Sequence, residues 1–221
     1  CTELSYKEHR SPLTAADTVE GDANLVWQET TFRGNIWVSM RNDKAPFDNI
    51  NARKAVQYCV DKDSILVGGS EGRGQVLNTT FPASVTDSPE ESYTPPYSTD
   101  IEKAREYLEK YKEETGQSEV KITITAPDTA MYLNPSITLE GMLRDAGFTV
   151  TTEQIDRSTY WSSVYAGEYQ IAVTGTSWPI GDADSHYMYF HSSAVRGQNY
   201  FTCVLDEVDE GFDIGRPSRA S

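Results

Sequence analysis

One tryptophan and two carboxylates fall close together at Trp178, Asp182 and Asp184, in the stretch Thr174-Gly175-Thr176-Ser177-Trp178-Pro179-Ile180-Gly181-Asp182-Ala183-Asp184-Ser185-His186. An indole face packs on apolar groups and attracts cations, and a carboxylate beside a low-dielectric wall holds an ammonium through charge-assisted hydrogen bonds. The combination suits capture of a ligand that carries both an apolar surface and a positive charge. The same residues also have a plainer reading, because Asp in a Gly-rich stretch serves turn geometry. A third reading is catalytic. Asp182 and Asp184, with Asp156 nearby in sequence, are the residue types of a carboxylate-dependent hydrolase.

Other chemistries find less support. His186 and His191 are five residues apart and would not share a helical face, which disfavours a two-His metal site. The oxygen ligands and terminal Glu of a calcium loop are missing, and no Gly-x-Ser-x-Gly elbow occurs. Gly68 to Gly74 is rich in glycine but lacks both the Gly-Lys-Ser/Thr ending of a P-loop and dinucleotide-type spacing, so it reads as a loop. Cys1, Cys59 and Cys203 lack metal-ligand spacing, and their odd number rules out a complete intrachain disulfide set. No catalytic residue, metal ligand or cofactor is therefore assigned. A net charge of -15 argues against nucleic acid as a partner. No apolar run approaches the ~20 residues that span a bilayer. Cys1 opens directly into a polar segment, so no signal peptide is read.

The elements that would position these residues follow from periodicity. Asn35 to Asn42 reads as a strand, and Ala52, Ala55, Val56 and Cys59 form one apolar helical stripe. A second short helix, Lys62 to Val67, is expected to stop at Gly68-Gly69. Residues 75 to 97 are proline-punctuated and aperiodic, a long irregular connection. Ser98 or Thr99 is the expected cap of a helix with Ile101, Ala104, Leu108 and Tyr111 on its buried face and Gly116 at its end. Val120 to Thr125 alternates as a strand, and Asp128 is the expected cap of a helix closing at Gly147, with Pro135 kinking or delaying its start. Phe148 to Ile155 reads as a strand, Ser158 to Ala166 as a helix, and Tyr169 to Thr174 as a third strand. His186 to His191 and Asp206 to Gly215 read as short helices, and Asn199 to Val204 as extended. Strand, helix, strand, helix, strand with short connections implies right-handed crossovers and parallel pairing. Ligands bind beyond the carboxyl ends of such strands, where Trp178 and Asp182 fall.

Several ordered stretches resemble the extracytoplasmic solute-binding proteins of family 5, the oligopeptide and dipeptide binders that feed ABC importers. Pro46-Phe47-Asp48-Asn49-Ile50-Asn51-Ala52-Arg53-Lys54-Ala55-Val56-Gln57-Tyr58-Cys59-Val60-Asp61-Lys62 is similar to the family's Pro-Phe-Asp, Arg-x-Ala and Asp-Arg/Lys pattern. Tyr97 to Leu108, Leu139 to Val150 and Trp178-x-x-x-Asp182-x-Asp184 resemble further family segments in the same order.

The resemblance implies an α/β fold. It would be a periplasmic-binding-protein type II-like lobe, a mixed sheet with a β-α-β-α-β core flanked by helices. Residues 35–214 would form the ligand-binding lobe, 1–34 a segment leading into it with a candidate hinge region, and 215–221 a truncated tail. The other lobe is absent, so Cys1 reads as internal and not as a lipidated terminus. The implied role is non-enzymatic: capture of peptides or related small solutes for uptake, on the periplasmic or extracytoplasmic face of the membrane. Partners would be the ligand and the membrane permease subunits, with membrane contact only through the permease or a lipid anchor outside this stretch. By the resemblance Asp182 takes the ligand's amino group, with Trp178 lining the pocket beside Asp184. Trp37 and Arg41 lie on the strand that resembles the family's cavity-lining one, while Arg53 and Asp61 read as structural. One extra residue separates Trp178 from Asp182, and Ser185 stands where Pro usually follows; both leave the ligand class open among peptides, sugars, opines and nickel complexes. A hydrolase using Asp182 and Asp184, or a non-transport interaction module, are the alternatives.

Overall fold

Asparagine and aspartate open most of the helices. In the computed structural model, which describes residues 34–83, 88–177, 183–194 and 204–215 together with positions 19, 21, 22, 24 and 202, strand β1 (Gly34–Met40) leads through a turn with a cis Ala45–Pro46 bond into α1 (Ile50–Cys59). Asn49 caps α1 by accepting from the Asn51 N–H. Asp61 caps α2 (Lys62–Ser70) and Asp100 caps α3 (Ile101–Thr115) in the same way. The cap of α3 thus sits at Asp100, beyond Ser98 and Thr99, and Thr99 instead donates its hydroxyl to the Val60 carbonyl at 3.0 Å. Strand β2 (Lys121–Pro127), helix α4 (Ala130–Ala146), strand β3 (Thr149–Ile155), helix α5 (Arg157–Ala166) and strand β4 (Ile171–Ser177) complete the alternating core. A 3-10 turn (Ala183–His186), the one-turn helix α6 (Tyr187–Phe190), a second 3-10 turn (Ser192–Ala194) and α7 (Asp206–Gly215) come after it.

Two local expectations are corrected. Helix α2 does not stop at Gly68-Gly69 but runs through both, ending at left-handed Glu71. The reason is packing. A Cβ on Gly68 would come within 2.3 Å of Thr138 Oγ1, and one on Gly69 within 2.6 Å of Pro135 Cγ. The glycines let α2 press its backbone onto α4. Helix α4 is capped at Thr129, not Asp128, without a side-chain capping bond, and Pro135 lies inside it without delaying its start. Gly116, Gly147 and Gly167 close α3, α4 and α5 in the left-handed conformation, as expected of helix-ending glycines.

The sheet order is β1-β4-β2-β3. Strand β2 pairs in parallel with β3 and β4, while β1 runs antiparallel to β4, so the sheet is mixed. The crossover from β2 to β3 moves to one side and that from β3 to β4 moves back past β2. Crossovers of one hand in opposite directions need helices on opposite faces. Accordingly α4 packs through Leu139, Leu143 and Ala146 against Ile122, Ile124, Ile171 and Val173, in the larger core that α1 and α3 also cover. Helix α5 packs through Tyr160 and Val164 on the other face, with Ala172 and Tyr169. No helix among the described residues is long and apolar enough to cross a membrane. Of the flanking segments 1–34 and 215–221, only Val19, Gly21, Asp22, Asn24, Gly34 and Gly215 are described.

Candidate functional site

Parallel pairing brings the carboxyl ends of β2, β3 and β4 to one edge of the sheet, and antiparallel pairing adds the amino end of β1, with Gly34 opposite Ser177. Thr125 pairs with Ala172, so continuing that register sets Pro127 level with Thr174. Gly175–Ser177 and the facing residues of β1 therefore project past the neighbouring strand as a two-stranded ribbon. A Cβ on Gly175 would sit 2.8 Å from the Asn35 carbonyl and 3.4 Å from Tyr132, so only glycine allows the ribbon to close and the ring to approach.

Trp178 and Asp182, the central pair expected from sequence, lie outside the described residues. Asp184 is exposed on the 3-10 turn that re-enters the described fold. Its neighbour His186 faces the opposite way and is fully buried. The imidazole lies 4.0 Å from the Phe81 ring, stacks on Phe190 at 5.7 Å, and meets Trp37 and Tyr189 edge-on, each at 6.2 Å. Burial in this cage pushes the His186 pKa down to about 4, while a hydrogen bond with the Thr80 backbone acts in the other direction.

Trp37, opposite Thr174 in mid-sheet, also packs edge-on against Tyr189 at 5.7 Å and Phe190 at 5.8 Å. Trp37 and Asp184 are thus brought to one region through His186. Arg41 is not. Because β1 is antiparallel, its carboxyl end lies at the amino end of β4, where the Arg41 N–H donates to the Gln170 carbonyl at 3.0 Å. Six residue steps separate the two ends of β1, ~20 Å of extended chain. The Arg41 guanidinium grips Asp43 twice, Nε to Oδ1 at 2.8 Å and Nη2 to Oδ2 at 2.6 Å, and lies over the Tyr169 ring. This partner holds the Asp43 carboxyl below its ordinary value. With Lys44 Nζ donating to the Gly167 carbonyl at 2.6 Å, the cluster ties the α5–β4 turn to β1.

Asp156 is committed elsewhere too. It caps α5, accepting from the N–H groups of Ser158 and Thr159 and from the Ser158 hydroxyl at 2.6 Å, bonds that hold its carboxyl well below the usual range. Its carboxyl is thus engaged as a helix cap. His191 packs against Tyr187, its Nδ1 accepts from the Ser193 N–H at 3.0 Å, and Nε2 lies 3.5 Å from Asp213. Among the described residues no cluster of His, Cys, Asp and Glu could hold a metal. Arg53 donates to the Phe47 carbonyl at 2.6 Å and Asp61 caps α2, so both are structural, as read from sequence.

Sequence reasoning passed over an aromatic cluster at the same edge. Tyr132 in the first turn of α4 meets Trp161 in the first turns of α5 at 5.7 Å, and Trp161 meets Tyr160 at 5.2 Å and Tyr165 at 6.0 Å. The signal was available: aromatic residues at the start of both crossover helices, each just after a strand's carboxyl end. Phe81 had no such signal, because the connection that carries it is aperiodic.

Residues 9–198 match the model of the bacterial extracellular solute-binding proteins, family 5 Middle. The chain belongs to this family. Among curated relatives, it is 24% identical to the oligopeptide-binding protein OppA of Bacillus subtilis over 74% of this chain and 31% of that protein. It is 28% identical to heme-binding protein A of Haemophilus influenzae over 67% of this chain and 27% of that protein. It is 25% identical to the dipeptide-binding protein of Escherichia coli over 84% of this chain and 34% of that protein. The chain thus spans about a third of the length of these relatives.

Among solved structures, the periplasmic binding protein DppA of Helicobacter pylori, in complex with the peptide STSA, superposes with a TM-score of 0.82 at 22% identity, over 91% of this chain and 39% of that one. AgaA of A. tumefaciens R10, in complex with agropinic acid, superposes with a TM-score of 0.74 at 20% identity, over 93% of this chain and 42% of that one. The fold is therefore a periplasmic-binding-protein type II-like lobe, and the relatives matched are binding proteins.

Proposed function

We propose that this chain is a lobe of the substrate-binding component of an ABC importer, which captures peptides or related small solutes outside the cytoplasmic membrane and has no catalytic activity. The observation that carries this reading is the family match over residues 9–198. The family's description as extracellular supports an extracytoplasmic location. The partners of such a protein are its solute and the membrane permease subunits, with no cofactor. Within the lobe, Trp178 packs on the ligand and Asp182 holds its amino group, with Asp184 and Trp37 alongside. Their support is the chemistry of indole and carboxylate, and the position of the segment after the carboxyl end of β4. Arg41 has less support as a ligand contact, because it belongs to the opposite edge and is held by Asp43.

The test uses the full-length protein, because enclosure by both lobes supplies affinity in clamps of this kind. Asp182→Ala is expected to weaken binding of free-amino peptides by on the order of 2–5 kcal/mol, the cost of removing one partner of an enclosed charge pair. Binding of the N-acetylated peptides should change little. Equal losses for both, measured by calorimetry, would refute the role of Asp182. The relatives' printed names extend from oligopeptides and dipeptides to heme, so a thermal-shift screen across these classes identifies the ligand.

A further inference from the structure

The 3-10 turn Ala183–His186 carries Asp184 on its exposed side and His186 on its buried side. His186 is the point at which three parts of the fold meet: Trp37 of β1, Phe81 of the long connection, and Phe190 and Tyr189 of α6. The connection is tied to the same spot by Asn35 Nδ2, which donates to the Thr80 carbonyl at 3.2 Å. An imidazole in such a cage is a flat, neutral spacer, and an imidazolium there would lose its hydration. We propose that His186 is the positioning residue for Asp184, and that it works only as neutral imidazole, so that acidification releases the turn and α6 from β1 and Phe81. The inference deepens the proposed ligand role of Asp184 and rests on that reading for its consequence in binding.

Among the described residues the side chains facing the ring are uncharged, while the Thr80 backbone bond favours the charged form. Trp37 and Phe81 carry no titratable group, and Phe190 none; Tyr189 is a buried phenol. On its own turn, Asp184 is an exposed residue. On the connection, Glu90 is engaged by the N–H groups of Asn78 and Thr79 at 2.8 and 2.7 Å. The caged form has its pKa lowered to about 4, and the released form titrates at an ordinary ~6.5, so the released form binds the proton more readily and gains as pH falls from ~6.5 towards 4. Between pH 7.5 and 5.0 the caged-to-released ratio drops by about 30-fold.

Hydrogen exchange by mass spectrometry, corrected for intrinsic rates, tests this on the chain itself. Protection of peptide 183–191, measured relative to the core peptide 139–146 of α4, should fall by about 30-fold between pH 7.5 and 5.0 in the wild type. His186→Phe, which keeps the flat ring and cannot titrate, should remove that relative fall, and His186→Ala should lose the protection at both pH values. An identical pH response in wild type and His186→Phe, or full protection of 183–191 in His186→Ala, overturns the proposal. Should His186→Phe fail to fold by circular dichroism, NMR titration of the His186 ring in the wild type decides, and a pKa at or above ~6.5 overturns it. None of these readouts needs a ligand. Absence of peptide binding by the full-length protein would count against the proposed function and leave this result standing.

Discussion

Gly69 offers a test in which local propensity and packing predict opposite signs. It lies in α2, where exchanging glycine for alanine in isolation would stabilise the helix by about 0.5–1 kcal/mol. Its hypothetical Cβ, however, comes within 2.6 Å of Cγ and 3.3 Å of Cδ of Pro135 in α4. Carbon atoms pack at ~3.5–4.0 Å, so the two helices must separate by about 1 Å. The proline ring cannot rotate out of the way, which leaves backbone movement as the only relief. Overpacking of this kind costs about 1–3 kcal/mol. The balance is a net destabilisation of about 0.5–2 kcal/mol. For a chain of this size that lowers the melting temperature by about 1–8 °C. Gly141→Ala is the matched control, since its Cβ would meet nothing within 4 Å in the middle of the same α4. There propensity acts alone, and a rise of about 1–4 °C is expected. Both variants are read by differential scanning calorimetry and confirmed by urea unfolding. If Gly69→Ala raised the midpoint as Gly141→Ala does, the close packing of α2 on α4 would be wrong.

A substitution and a chemical label probe the cores on either face of the sheet. The buried Tyr160 hydroxyl donates to the Val173 carbonyl at 2.6 Å, and burial raises its pKa well above the ordinary value, so Tyr160→Phe should destabilise by about 1 kcal/mol in urea unfolding, while a change below ~0.3 kcal/mol would show that the bond contributes nothing to stability. Cys59, buried in α1, has its thiol pushed up to about 12 by desolvation, so alkylation by iodoacetamide at pH 8 should run at least ~10³-fold slower in the folded chain than after denaturation; rapid labelling of Cys59 in native protein, located by peptide mapping, would refute its placement.

Much of the fold was legible because the apolar periods are undisturbed. The stripe at Ala52, Ala55, Val56 and Cys59 is buried as its spacing predicts, and of the face read at Leu139, Met142, Leu143 and Ala146 all but the half-buried Met142 are buried. Glycines end helices as expected at Gly116, Gly147 and Gly167, but not at Gly68-Gly69. A one-dimensional pattern does not distinguish a glycine needed for backbone conformation from one needed for space, since the latter depends on Pro135 and Thr138, far away in the chain. The candidate site was legible in part. Trp37 and Asp184 do converge, but through His186, whose spacing from His191 spoke only against a metal site. Arg41 was grouped with Trp37 because both are on one strand. Direction, set by partner choice and invisible in a strand's own sequence, sends Arg41 to the far edge.

The same topology sets the projecting β1–β4 ribbon apart from the seam between β2 and β3. In open α/β sheets a crevice forms where neighbouring strands send their connections to opposite faces. Here β2 leads to α4 on one face and β3 to α5 on the other, so that crevice should fall between them. Yet the first turns of those helices carry Tyr132, Tyr160 and Trp161, whose ring centroids lie 5.2 to 6.5 Å apart. The rings pack against one another across that seam. Tyr132 reaches as far as Gly175, bracing the ribbon from behind. The ribbon ends at Ser177, and the described chain resumes at the turn that holds Asp184 and His186. The aromatic wall thus supports the edge from which β4 delivers the chain, so the packing of α4 on α5 and the reach of the ribbon depend on the same rings.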